Sequence, residues 1–170
     1  MRWSEASLLV TALAVLAATA AAARPARDRP DGLALPATAA FAIGTEIRVA
    51  DVRETPPDSF NVMLRDARSR GEDWTASAVQ VGLRLAQLPP LGQRQEVSVE
   101  IPGEWEPGMP LTWARVTVFN GGWLDDSATG ERYVIWVGSD PAGGLIVRRA
   151  LWARLCDRPS RRFWSAKPCP

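Results

Sequence analysis

The chain has 170 residues, of which 46% are hydrophobic and 23% charged, with a formal net charge of +1. It contains no histidine, which excludes Ser-His-Asp and Cys-His nucleophilic mechanisms, imidazole acid–base chemistry and histidine-ligated metals. Its two cysteines are too few for a structural zinc site, which takes four Cys or His ligands.

The first residues read as an export signal. Arg2 supplies positive charge, Leu8 to Ala22 form an apolar run, and Ala21-Ala22-Ala23 offer the small residues a signal peptidase needs. The run falls short of the ~20 apolar residues that span a bilayer. Residues 1–23 are therefore expected to be a signal peptide, with a retained anchor as the alternative. The mature chain is expected to be periplasmic or extracellular, with no transmembrane span. In such a compartment Cys156 and Cys169 are expected to form a disulfide rather than two free thiols, worth about 3 kcal/mol from loop-closure entropy.

Residues 24–39 are rich in Pro, Ala and charge and lack periodicity; they read as a flexible linker ahead of a β-rich domain over 40–170. Phe41, Ile43, Ile47 and Val49 alternate with small or polar residues and predict a first strand over 41–50. Two stretches then carry both periodicities. Phe60, Val62 and Leu64 alternate, yet Phe60, Met63, Leu64 and Ala67 are spaced for a helix between Pro57 and Gly71. Val79, Val81, Leu83 and Leu85 alternate, while Trp74, Ala78, Val81, Leu85 and Leu88 are helically spaced. Gly82 costs a helix about 1 kcal/mol relative to Ala, and the strand reading is preferred for both.

Further on the alternation is cleaner. Val97, Val99 and Ile101 predict a strand, as does Leu111 to Phe119, which stops at Asn120-Gly121-Gly122. Glu131 to Gly138 and Leu145 to Cys156 flank a turn containing Asp140-Pro141 and Gly143-Gly144, the pattern of a hairpin. Tyr133, Ile135 and Val137 occupy one face of the first of these strands and Val134 and Trp136 the other. A strand apolar on both faces belongs in the centre of a sheet. Six to seven short strands predict an all-β domain, a single β-sandwich or partly open barrel, with an α+β arrangement carrying one or two helices within 59–88 as the alternative.

Charge is unevenly placed. From Arg148 to Pro170 the local balance is +6, against −5 over residues 24–147. The segment from Cys156 to Cys169 is a cationic loop with Phe163 and Trp164 beside Arg161 and Arg162, and Arg148, Trp152 and Arg154 are expected to share a face of the preceding strand. Arginine forks pair bidentately with phosphate and carboxylate, and an adjacent aromatic ring suits headgroups or sugars. The candidate binding surface is therefore Arg148, Arg149, Trp152, Arg154, Arg161, Arg162, Phe163 and Trp164. Its expected partner is an anionic envelope component or an acidic protein. The competing explanation is a solvated tail whose arginines cover the acidic body.

Two weaker constellations stand beside it. Glu104 and Glu106 flank Trp105 in a Gly- and Pro-bounded turn, and with Asp125, Asp126 or Asp140 they would compose a carboxylate-dependent glycan hydrolase if they converged in one cleft. Asp125 and Asp126 could instead ligate calcium, but the spacing of an EF-hand is absent. The favoured expectation is a non-catalytic binding module with no cofactor and no resident metal. A structural subunit pairing through an edge strand is the alternative, and export argues against nucleic acid as a partner.

Overall fold

The computed structural model describes residues 32–87, 94–101, 111–122, 128–158 and 161–170. Its strands are β1 (Arg53–Glu54), β2 (Arg94–Glu100), β3 (Trp113–Gly121), β4 (Ala128–Ser139), β5 (Leu145–Arg158) and β6 (Arg161–Ser165). All six lie in one antiparallel sheet of order β1-β5-β4-β3-β2, with β6 pairing β5 beyond the stretch that β1 covers. The doubly apolar strand is β4, and it is central as its pattern requires: Val134, Ile135, Trp136 and Val137 are each at most 1% exposed.

The two faces of β4 need different covers. On one face Val116, Val118, Ile135, Val137, Val147 and Ala150 pack beneath helices α2 (Asp58–Ser69) and α3 (Ala78–Ala86) through Leu64, Val81 and Ala86. On the other, Val134, Trp136, Leu151, Ala153, Leu155 and Trp164 pack against α1 (Ala37–Ala42) through Ala40 and Phe41. The described residues are thus mostly sheet, with three short α-helices. The layer over the sheet is helical rather than a second sheet, so the α+β alternative describes it.

The strand expectation for the two ambiguous stretches is corrected by α2 and α3. Helix α3 starts at Ser77, whose hydroxyl accepts the Gln80 N–H at 3.4 Å, and closes at Gln87 in the left-handed region with φ 45°. Gly82, which weighed against a helix, is where α3 docks: a Cβ there would lie 2.7 Å from Val116 Cγ1. Close approach to β3 outweighs the propensity cost of glycine. Helix α2 enters after Pro57, carries Asp58 in its first turn and ends before Gly71 at φ +74°.

Residues 41–50 likewise do not form the expected strand. Phe41 belongs to α1, Gly44 turns the chain with φ +75°, and only Val49 makes a bridge, parallel to Trp164. Of the segment expected to be a flexible linker, residues 32–39 are described, and they are not loose. Gly32 is buried against the indole of Trp136, and residues 32–42 pack on the sheet. A short helix without a side-chain cap is held here by burial, since Ala40 and Phe41 are wholly inaccessible.

One feature of β5 shapes everything downstream. Trp136 pairs with Arg149 and Val137 with Val147, leaving Arg148 as the extra residue of a β-bulge. The bulge puts Val147 and Ala150 on the helix-covered face while Arg149 and Leu151 face the other way. Near it the outer edge of β5 lacks a strand partner among the described residues, and Asn61 of α2 takes that place. Its Nδ2 donates to the Val147 carbonyl at 2.9 Å and its Oδ1 accepts the Val147 N–H at 2.8 Å. A buried side-chain amide here does the work of a neighbouring strand. The expected disulfide is present between Cys156 and Cys169, with Cα atoms 5.4 Å apart, and no described helix is long and apolar enough to cross a membrane.

Replacing Asn61 with Ala strands both Val147 groups in the interior and should cost about 2–4 kcal/mol in urea unfolding. An unchanged midpoint would show that α2 is not docked in this way.

Candidate functional site

The sheet separates the eight residues read as one binding surface. Cross-strand partners share a face, and successive residues alternate. Trp152 pairs with Tyr133 and Arg154 with Glu131 on the helix-covered side; Phe163 and Arg161 lie on that side too, opposite Cys156 and Arg158. There the Trp152 indole donates to Glu131 at 2.9 Å, the Arg154 guanidinium lies 5.2 Å from the Trp152 ring, and Arg161 sits 5.7 Å from the Phe163 ring. Burial, followed by the charge and hydrogen bond of Glu131, pushes the Tyr133 hydroxyl above its ordinary range.

Arg148 and Arg149 are spoken for by the fold. Arg148, exposed at the bulge, donates to the Ser139 carbonyl. Arg149 is 8% exposed and clamps three segments. Its Nε and Nη2 hold both Glu54 oxygens at 2.9 and 3.0 Å, and its Nη1 donates to the carbonyls of Gly32 at 2.6 Å and Leu35 at 2.7 Å. The guanidinium also stacks 5.8 Å from the Trp136 ring. With each of its three guanidinium nitrogens hydrogen-bonded, Arg149 ties the N-terminal segment and β1 to the sheet.

Arg162 and Trp164 remain, and both open onto a cleft of about 780 Å³ on the α1 side of the sheet. One wall comes from β2 and β3 through Arg94, Glu96, Arg115 and Phe119. The opposite wall is the turn after α1, with Ile43, Thr45 and Ile47, together with Leu155 and Asp157 of β5. Trp164 is 3% exposed and belongs to the core: it meets Phe41 and Phe119 edge to face at 5.6 and 6.1 Å, and its indole donates to Thr45 Oγ1 at 3.3 Å. It forms an apolar wall rather than an exposed platform.

Arg132 also lines this cleft and is the residue that sequence reasoning passed over. It is 6% exposed, and its Nη1 and Nη2 donate to the carbonyls of Phe41 at 3.1 Å and Ile43 at 2.8 Å. Its guanidinium lies 5.1 Å from the Phe41 ring. Among the described residues no carboxylate pairs with it, whereas Arg94 pairs with Glu96, Arg115 with Glu100, and Arg162 with Asp157 at 3.4 Å. Burial, with the nearby Arg115 charge, lowers the Arg132 pKa to about 10. The group is still a cation at neutral pH, held against its own desolvation. Thr129 also lines the cleft, and its buried Oγ1 has no hydrogen-bond partner among the described residues. The cleft therefore combines four arginines against Glu96 and Asp157, an orphan hydroxyl, and an apolar end at Ile43, Ile47 and Trp164. A signal for Arg132 was present: it shares the alternation of Val134 and Trp136, placing a charge on a face otherwise wholly apolar.

Glu104, Glu106, Asp125 and Asp126 lie outside the described residues. Asp140 sits at the opposite end of β4 from Thr129 and Arg132, 4.0 Å from Arg68.

Arg149→Met should lower stability by about 2–3 kcal/mol, chiefly from two stranded carbonyls and lost packing, and should expose residues 32–42 to limited proteolysis. Arg148→Met should cost under about 0.5 kcal/mol. Equal losses would contradict the clamp.

No protein-family model matches the chain, and neither a curated protein nor a solved structure matches it.

Proposed function

We propose that this protein is an exported, non-catalytic binding module whose cleft takes a ligand with an anionic head, phosphate or carboxylate, and an apolar body. The observation that carries this reading is Arg132, a buried cation without a carboxylate partner among the described residues, on the wall of a cleft of about 780 Å³. Burying an uncompensated charge is costly, and a bound anion offsets that cost. Arg115 and Arg162 add positive potential, Thr129 Oγ1 offers an unused hydroxyl, and Ile43, Ile47 and Trp164 supply apolar surface. An envelope lipid bearing phosphate or carboxylate has this chemistry. Export is supported by the Cys156–Cys169 disulfide and by the composition of residues 1–23.

The sign of the linkage follows from the lowered pKa. Because Arg132 in the fold titrates near 10, below its ordinary value, folding works against the charged form and stability gains from its neutralisation or from a counter-anion. Ligand affinity should accordingly be present at neutral pH and fall as pH rises through about 10.

Isothermal titration with dodecyl phosphate below its micelle concentration, with dodecyl maltoside as the uncharged control, tests the reading. The phosphate should bind one per chain, weaken with added salt, and lose roughly tenfold or more in affinity in Arg132→Met, the value of a charge-assisted hydrogen bond. Equal binding of both detergents, or of both proteins, would reject it.

A further inference from the structure

The two edges of the sheet are treated differently. On the β5 side the chain from Arg48 to Thr55 closes the edge. Trp164 of β6 donates to the Arg48 carbonyl at 2.8 Å and accepts the Ala50 N–H at 2.8 Å, and Thr55 donates to the Ala150 carbonyl at 2.9 Å. Among the described residues the β2 edge has no such cover. All seven residues of β2 are exposed, and among the described residues only β3 pairs with it. Val97, Val99 and Ile101 present side chains 42%, 43% and 39% exposed. The strand has no proline and no bulge in its pairing with β3, two devices that ordinarily blunt an edge.

Its charges show what could pair there. Cross-strand partners of Arg94, Glu96, Ser98 and Glu100 place these four side chains on the cleft side, with Gln95, Val97 and Val99 on the helix side. Two copies joined edge to edge in antiparallel sense are related by a two-fold axis normal to the sheet, so each face stays on its own side. Only registers that set even residues opposite even residues are then allowed. The register centred on Val97 overlaps all seven residues. It sets Arg94 opposite Glu100 twice, Glu96 opposite Ser98 twice, Gln95 opposite Val99 twice, and Val97 opposite itself. Moving the axis to Glu96 brings that carboxylate against its own copy, and moving it to Ser98 brings Glu96 against Glu100. Like charges directly opposite are destabilising, and opposite charges stabilising. Of the registers that overlap five or more residues of β2, this one alone is charge-matched, and the register centred on Gln95, which sets Arg94 opposite Glu96, overlaps only three.

We propose that β2 pairs with β2 of a second copy of this chain, in the register centred on Val97, to make one continuous sheet with isologous two-fold symmetry. This assignment stands apart from the cleft's ligand. It does set the two clefts side by side on one face, because Arg94, Glu96 and Ser98 form the wall nearest the junction.

Charge reversal tests the register. Sedimentation velocity of the full chain should show a dimer, with the dimer about tenfold or more weaker in Arg94→Glu and in Glu100→Arg, since each variant faces two like-charge pairs. An equimolar mixture of the two variants should restore a dimer, because every 94–100 contact between unlike chains is again oppositely charged. If either variant fails to fold, Val97→Cys decides instead: its thiol lies on the axis and should crosslink to itself under mild oxidation, whereas Val62→Cys, 60% exposed on α2, should not. A wild-type chain monomeric at about 100 μM, well above micromolar affinity, overturns the proposal. So do single variants that dimerise like wild type, a mixture of folded variants that stays monomeric, or equal crosslinking at positions 97 and 62.

Discussion

Everything in this domain follows from β4 being apolar on both faces. A strand with Val134 and Trp136 on one side and Ile135 and Val137 on the other cannot sit at an edge or leave a face to water. It recruits β3 and β5 as neighbours and requires a cover above and below. The helices α2 and α3 provide one cover and α1 with its flanking turn provides the other. The second is thinner. It consists of a one-and-a-half-turn helix, a glycine set against an indole, and an arginine clamp. Where this thin cover stops, the sheet is left partly open, and the opening is the cleft.

The cleft inherits its chemistry from that position. Arg132 faces the same side as Val134 and Trp136, so it is carried inward by a strand that is otherwise apolar. The end of α1 and the turn after it engage two of its N–H donors through the Phe41 and Ile43 carbonyls, but among the described residues no carboxylate balances its charge. Carbonyl dipoles hold a guanidinium in place without neutralising it. An interior cation beside an open cavity favours anions electrostatically, and the ligand proposed for the cleft rests on that preference. The clustered C-terminal arginines, by contrast, are distributed over both faces, and several already serve the fold.

How much of this was legible depended on whether the governing contact was local. Strands β2 to β5 could be read because period-2 alternation and turn residues such as Asp140 and Gly143-Gly144 act within a few positions, whereas β1 and β6, the latter within the segment read as a cationic loop, could not. The disulfide could be read from the expected compartment and the even cysteine count. Helix α3 could not, because its favourable term is the approach of Gly82 to Val116, a contact 34 residues away in sequence. The surface proposed from charge clustering failed to assemble for a related reason. Strict alternation does not register the bulge at Arg148, which resets the faces of β5, and it cannot show that Arg149 meets Gly32 across 117 residues. Arg132 was hidden differently. A charged residue within a strand is ordinarily read as solvent-facing, and its burial depends on a turn 89 residues earlier.

Native-state hydrogen exchange gives the most direct check on the central role of β4. The amides of Val134 to Val137 should exchange only through global unfolding, while those of Arg94 to Glu100 exchange through local opening at much lower cost, and those of α3 fall between. Equal protection of β2 and β4, or coil-like exchange in residues 78–86, would contradict a sheet organised around a strand buried on both faces.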